Sequence, residues 1–180
     1  MRDRVPPFPR RLARWGVPLL AILALSACPY SSDQPLSDPA AAALDPALMG
    51  TWKLQDPETQ EWVTLSFFPY DEHELVAFTP GDVGGKADAY RMFVTIIDNE
   101  RFLNVRQLGE KADRAWFFVN YRIDNGRLVL RILEDELFGE TPFASSEALR
   151  SFVLRSLSDP RLYSSGDTDK PEMIWQRAET

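Results

Sequence analysis

The chain of 180 residues has one cysteine, Cys28, and one histidine, His73. A single cysteine excludes a disulfide within the chain, so the fold must rest on its core. One histidine without a second soft ligand gives little support to a transition-metal centre, and no metal or cofactor is expected. His73 lies in Asp71-Glu72-His73-Glu74 and reads as a solvated turn residue. No apolar run reaches the roughly 20 residues a spanning helix needs. Catalytic fingerprints are missing too: there is no Gly-x-Ser-x-Gly, His-Glu-x-x-His or nucleotide motif. Gly84-Gly85-Lys86 falls short of a phosphate loop, because Pro80 stands where glycine is needed and Ala87 where serine or threonine is needed. Asp167 and Asp169 lack calcium-loop spacing. With Glu172, Glu140 and Glu134-Asp135-Glu136 they read as a solvated acidic surface. An enzyme is not expected.

What is present begins at the N-terminus. Arg10, Arg11 and Arg14 precede an apolar run from Trp15 to Ala24, and Leu25-Ser26-Ala27 leads into Cys28. This is the layout of a secretory signal peptide. Leu25-Ser26-Ala27-Cys28 resembles a lipobox, the bacterial motif in which cleavage precedes a cysteine that is then lipidated. The resemblance implies a lipoprotein signal over 1–27, with Cys28 as the lipidation site and membrane anchor. Pro29 stands where an aspartate would resemble an inner-membrane retention signal, which points to the periplasmic face of the outer membrane. Residues 1–27 hold five arginines and one aspartate, so the remainder of a chain of net charge −7 carries −11. Such an acidic surface argues against nucleic acid as a partner.

Residues 28–43 are rich in Pro, Ser, Asp and Ala with no apolar period, and read as a disordered tether. A single domain is expected over 44–180. Asp45-Pro46 marks one short helical turn. Strand patterns follow over 51–54, 62–68, 74–79, 89–97, 101–108, 115–123, 128–133 and 173–178. Asn125-Gly126 is a type I′ hairpin signal. Leu149, Phe152, Val153 and Leu157 recur at helical spacing, with Ser145 or Ser146 as the cap and Asp159-Pro160 as the stop. The fold class is mainly β. Eight antiparallel strands joined in order favour an up-and-down barrel, since closure removes edges. An open curved sheet wrapped on the helix is the alternative. Phe93, Ile97, Trp116 and Phe118 fall on the face away from the barrel interior, and the helix stripe is expected to cover them.

Gly50-Thr51-Trp52 opens the first of these strands after a short helical turn, and Arg177 lies in the last. Here the chain resembles the lipocalin-like (calycin) barrels. The resemblance implies that Trp52 packs across the closed end and that Arg177 stacks on it, so Gly50, Trp52 and Arg177 are barrel-closure residues. The helix departs from the family by preceding the eighth strand. The leading functional expectation is a lipid-anchored barrel that binds a small apolar or amphipathic ligand. Tyr90, Phe117 and Tyr121 are its expected lining, and the Thr79–Asp88 loop its gate. The alternative is a filled-core envelope protein that contacts a protein partner through its surface. Cavity volume separates the two.

Overall fold

Alternation at period two puts apolar side chains on one face of each strand and fixes the pairing register. The computed structural model describes residues 29–56, 59–79, 87–109, 115–139, 142–163 and 173–178. Its strands are β1 (Ser31–Ser32), β2 (Gly50–Gln55), β3 (Trp62–Pro69), β4 (Glu74–Thr79), β5 (Asp88–Ile97), β6 (Glu100–Leu108), β7 (Trp116–Asp124), β8 (Arg127–Ile132) and β9 (Met173–Arg177). From β2 to β9 each strand pairs antiparallel with the next. β9 then pairs back onto β2 through Trp52↔Arg177 and Lys53↔Gln176, which closes an eight-stranded barrel. That pairing removes the open-sheet alternative. Asn125 and Gly126 turn β7 into β8 with φ of 49° and 73°, as a type I′ turn requires.

The barrel has a closed end, where β2 begins, and a mouth, where β3, β5, β7 and β9 begin. Two apolar clusters form. One fills the interior and includes Trp52, Leu65, Phe67, Met92 and Trp175. The other lies outside the wall of β5, β6 and β7, where Phe93, Phe102, Trp116 and Phe118 point away from the interior. The single α-helix among the described residues, α1 (Ser146–Ser156), covers part of this outer cluster. Ser145 caps it by accepting the Ala148 N–H at 3.2 Å, and Leu149 and Val153 are fully buried. The helix stops at Ser156, and Asp159-Pro160 starts a separate 3₁₀ turn that buries Leu162.

The helix does not cover the outer cluster alone, and this corrects the tether expected over 28–43. From Pro29 onward the segment is a strap on the barrel. Pro29 bridges Glu134, and the Tyr30 N–H donates to the Leu133 carbonyl at 2.9 Å. β1 then pairs with the first two residues of β7, beyond the point where β8 has ended. Tyr30 stacks on Phe138 with ring centroids 3.7 Å apart. Leu36 is fully buried, and its N–H donates to Asn104 Oδ1 at 2.7 Å. Ser37 and Thr95 share a hydroxyl contact of 2.6 Å. At the closed end the half-buried His73 donates from Nδ1 to the Ala42 carbonyl at 2.8 Å, so it pins the strap and is not a solvated turn residue. The physical reason is burial: two apolar side chains and a buried amide acceptor outweigh a composition that otherwise favours disorder.

Candidate functional site

The closed end is built from the strap and the first strand. Asp45 caps its short turn by accepting the Ala47 N–H at 3.0 Å. The turn carries Leu48 into the barrel floor, where Leu48 and Trp52 are fully buried. Trp52 Nε1 donates to the Leu48 carbonyl at 2.8 Å. The Arg177 guanidinium lies 4.3 Å from the Trp52 ring centroid. It also donates to the Met49 and Ala47 carbonyls at 2.7 and 2.6 Å. Gly50 adopts φ +105°, and a Cβ there would sit 3.2 Å from Arg177 Nη1. Gly50, Trp52 and Arg177 therefore form one construction at the closed end.

Tyr121 belongs to this floor and not to a ligand lining. Its hydroxyl donates to Asp45 Oδ2 at 2.8 Å, and Arg101 Nε is 3.8 Å from the same oxygen. Burial pushes the Tyr121 phenol well above its ordinary pKa, and the bond to Asp45 adds to the shift. The inward alternation of β7 places Phe117, Val119 and Tyr121 on one face, but their heights differ. Phe117 lines the cavity, whereas Tyr121 lies toward the closed end on Asp45.

On the mouth side of Trp52 lies a cavity of about 60 Å³. Tyr90 and Phe117 line it, together with Phe67, Met92, Ile132 and Trp175. The Tyr90 and Phe117 rings meet edge to face with centroids 6.2 Å apart. Tyr90 Oη and Trp175 Nε1 are buried and have no hydrogen-bond partner among the described residues. Burial, with the nearby Asp88 charge second, pushes the Tyr90 pKa up to about 12, so the phenol is neutral and available as a donor. Trp175 was absent from the expected lining, although the alternation of Met173 and Trp175 in the last strand marks both as inward.

Cys28, Gly84-Gly85-Lys86, Asp167, Asp169 and Glu172 lie outside the described residues, as does most of the Thr79–Asp88 loop. Among the described residues no three His, Cys, Asp or Glu side chains gather as a metal site. Glu74 is buried and paired with Arg91, which stacks on Tyr70 at 4.7 Å. Comparison with protein-family models, curated proteins and solved structures finds no match to this chain.

Proposed function

We propose that the chain is a non-enzymatic lipoprotein of the bacterial envelope, anchored through Cys28, whose barrel acts through its surface. The observation that carries this reading is the small size of the cavity among the described residues. About 60 Å³ is far below the roughly 300–1,000 Å³ of pockets that hold drug-sized ligands. It is also below the roughly 150 Å³ that accepts benzene in an engineered apolar cavity. Kinship with the lipocalin-like barrels is part of the reading. It is supported by Gly50-Thr51-Trp52 at the first barrel strand and by Arg177 over Trp52. The lipobox-like Leu25-Ser26-Ala27-Cys28 supports the anchor.

A second reading has its own observation. Tyr90 Oη and Trp175 Nε1 are buried donors without a partner among the described residues, and both belong to residues that line the apolar cavity. An unsatisfied buried donor costs about 1–3 kcal/mol, so such groups commonly mark a bound water or small ligand. Native mass spectrometry of the chain from Pro29, purified without detergent, tests both. An unliganded mass that persists after addition of a fatty-acid panel is expected for the surface-acting barrel. A co-purifying lipid at one-to-one stoichiometry overturns it, and a small bound molecule supports the second reading.

A further inference from the structure

The strap leaves no slack between Cys28 and the barrel. Pro29 already bridges Glu134, two residues beyond the mouth end of β8, and the next Cα upstream is only about 3.8 Å away. A lipid carried one residue upstream of Pro29 would therefore meet the protein at the mouth half of the wall, beside β7 and β8. A tether of the length expected from composition would let the barrel stand off the lipid, whereas this connection keeps the mouth half close to it.

The mouth half carries a second feature. Trp62, Phe78, Leu108 and Ile174 sit at or near the mouth ends of β3, β4, β6 and β9, and all four face outward and are exposed. Trp62 is 54 % exposed, with the Lys53 ammonium 5.1 Å from its ring. Phe78 pairs with Ala89, and Ala89 with Leu108, so an apolar stripe crosses three adjacent strands at this height. Outward aromatic and aliphatic side chains around one end of a barrel suit the headgroup boundary of a bilayer, where an aromatic body with a polar edge is favoured. The net charge of −11 after residue 27 gives no attraction to anionic lipid, so such a contact is apolar and insensitive to salt.

We infer that the lipidated protein docks mouth-first on the bilayer, with the rim of Trp62, Phe78, Leu108 and Ile174 against the lipid headgroups. This rests on the lipoprotein reading above. Docked in this way, the closed end, with the exposed Tyr70 and Ile96, faces the periplasm.

The test uses the full chain, processed in a bacterial host and reconstituted in vesicles of phosphatidylcholine that contain brominated phosphatidylcholine. Two proteins are compared: the unaltered chain, with Trp62 at the mouth, and Trp62→Phe/Tyr70→Trp, with the exposed indole moved to the closed end. Both substitutions are at exposed sites, and circular dichroism checks the fold. Emission from exposed tryptophan should fall about twofold in the first and stay nearly constant in the second, because bromine quenches only at bilayer depth. Equal quenching in both proteins, or none in either, overturns the orientation. The intact mass of each protein is read beforehand. Acyl mass on Cys28 with equal quenching defeats the docking alone, whereas a protein without acyl mass defeats the lipoprotein reading together with it.

Discussion

The Leu36 N–H and the Oδ1 of Asn104 form a 2.7 Å hydrogen bond across 68 positions of sequence, and both residues are fully buried. The rest of the Asn104 amide is also engaged. Its Nδ2 donates to Thr95 Oγ1 at 2.8 Å and to the Phe93 carbonyl at 3.3 Å. One outward side chain on β6 thus joins the strap to β5. It does so inside an otherwise apolar cluster, where a lost partner is costly.

Asn104→Leu keeps the volume and removes every one of these bonds. The Leu36 N–H is left buried and unpaired. A loss of about 3 kcal/mol is expected from the usual cost of orphaned buried groups, which lowers Tm by about 6–12 °C for a chain of this size. Urea denaturation measures the first. Hydrogen exchange at Leu36 should rise toward the unprotected rate while the barrel amides of β2 and β3 remain protected.

Removing the strap should be worse than breaking its bond. A chain that begins at Ala43 lacks Tyr30 and Leu36 and uncovers Phe93, Phe102 and Phe118. Burial of each large apolar side chain contributes about 1.5–3 kcal/mol, so the deficit exceeds about 3 kcal/mol before the exposed barrel face is counted. The expected outcome is dye binding to the exposed apolar surface and aggregation, against a monodisperse chain that begins at Pro29. Light scattering of the two preparations decides between them.

The barrel was legible and the strap was not, for a physical reason. Alternation at period two announces each wall strand, and Leu149 and Val153 announce the helix that covers Phe118. The strap from Pro29 to Ala43 has only two buried large apolar side chains, Tyr30 and Leu36, and its decisive bond comes from a backbone N–H that no side-chain pattern encodes. One cue was in the sequence: four large aromatic side chains on the outer faces of β5, β6 and β7 exceed what one apolar helix stripe can bury. Tyr121 shows the matching limit inside. Its inward direction follows from alternation, but its place on the floor depends on Asp45 crossing the closed end, a contact 76 positions away. Trp52 and Arg177 were legible only through their resemblance to a known barrel closure.

Gly50→Ala probes that closure. At φ +105° any side chain is strained, and the added Cβ would press on Arg177 at 3.2 Å. Backbone strain of this kind costs about 1–3 kcal/mol. Arg177→Lys keeps a cation near Trp52 but cannot hold both the Ala47 and Met49 carbonyls in one planar fork. It should lose about 1–2 kcal/mol from the cation–π contact and the missing hydrogen bond. Thermal unfolding of the single and double variants should show losses that are less than additive, since both act on the same guanidinium.

Tyr90→Phe asks whether the cavity is empty. With no partner for Tyr90 Oη, removing the hydroxyl removes a buried unsatisfied group, and stability should hold or rise by about 1 kcal/mol. With an acceptor bound there, the same change loses a hydrogen bond and stability falls by a similar amount. The pH dependence gives a second readout. The Tyr90 phenol has an ordinary pKa of 10.0, and burial raises it to about 12 in the folded protein. A raised pKa means that the unfolded chain releases this proton first. The stabilisation is therefore complete below pH 10 and is lost progressively as pH rises through 12. Tyr163, raised to about 12 mainly by burial, contributes in the same window and with the same sign. Denaturation midpoints should thus decline above pH 10 in the unaltered chain and decline less steeply in Tyr90→Phe. A gain in stability with a shallower alkaline decline identifies a dry cavity with a neutral phenol. A loss of stability points instead to an acceptor held by the Tyr90 hydroxyl.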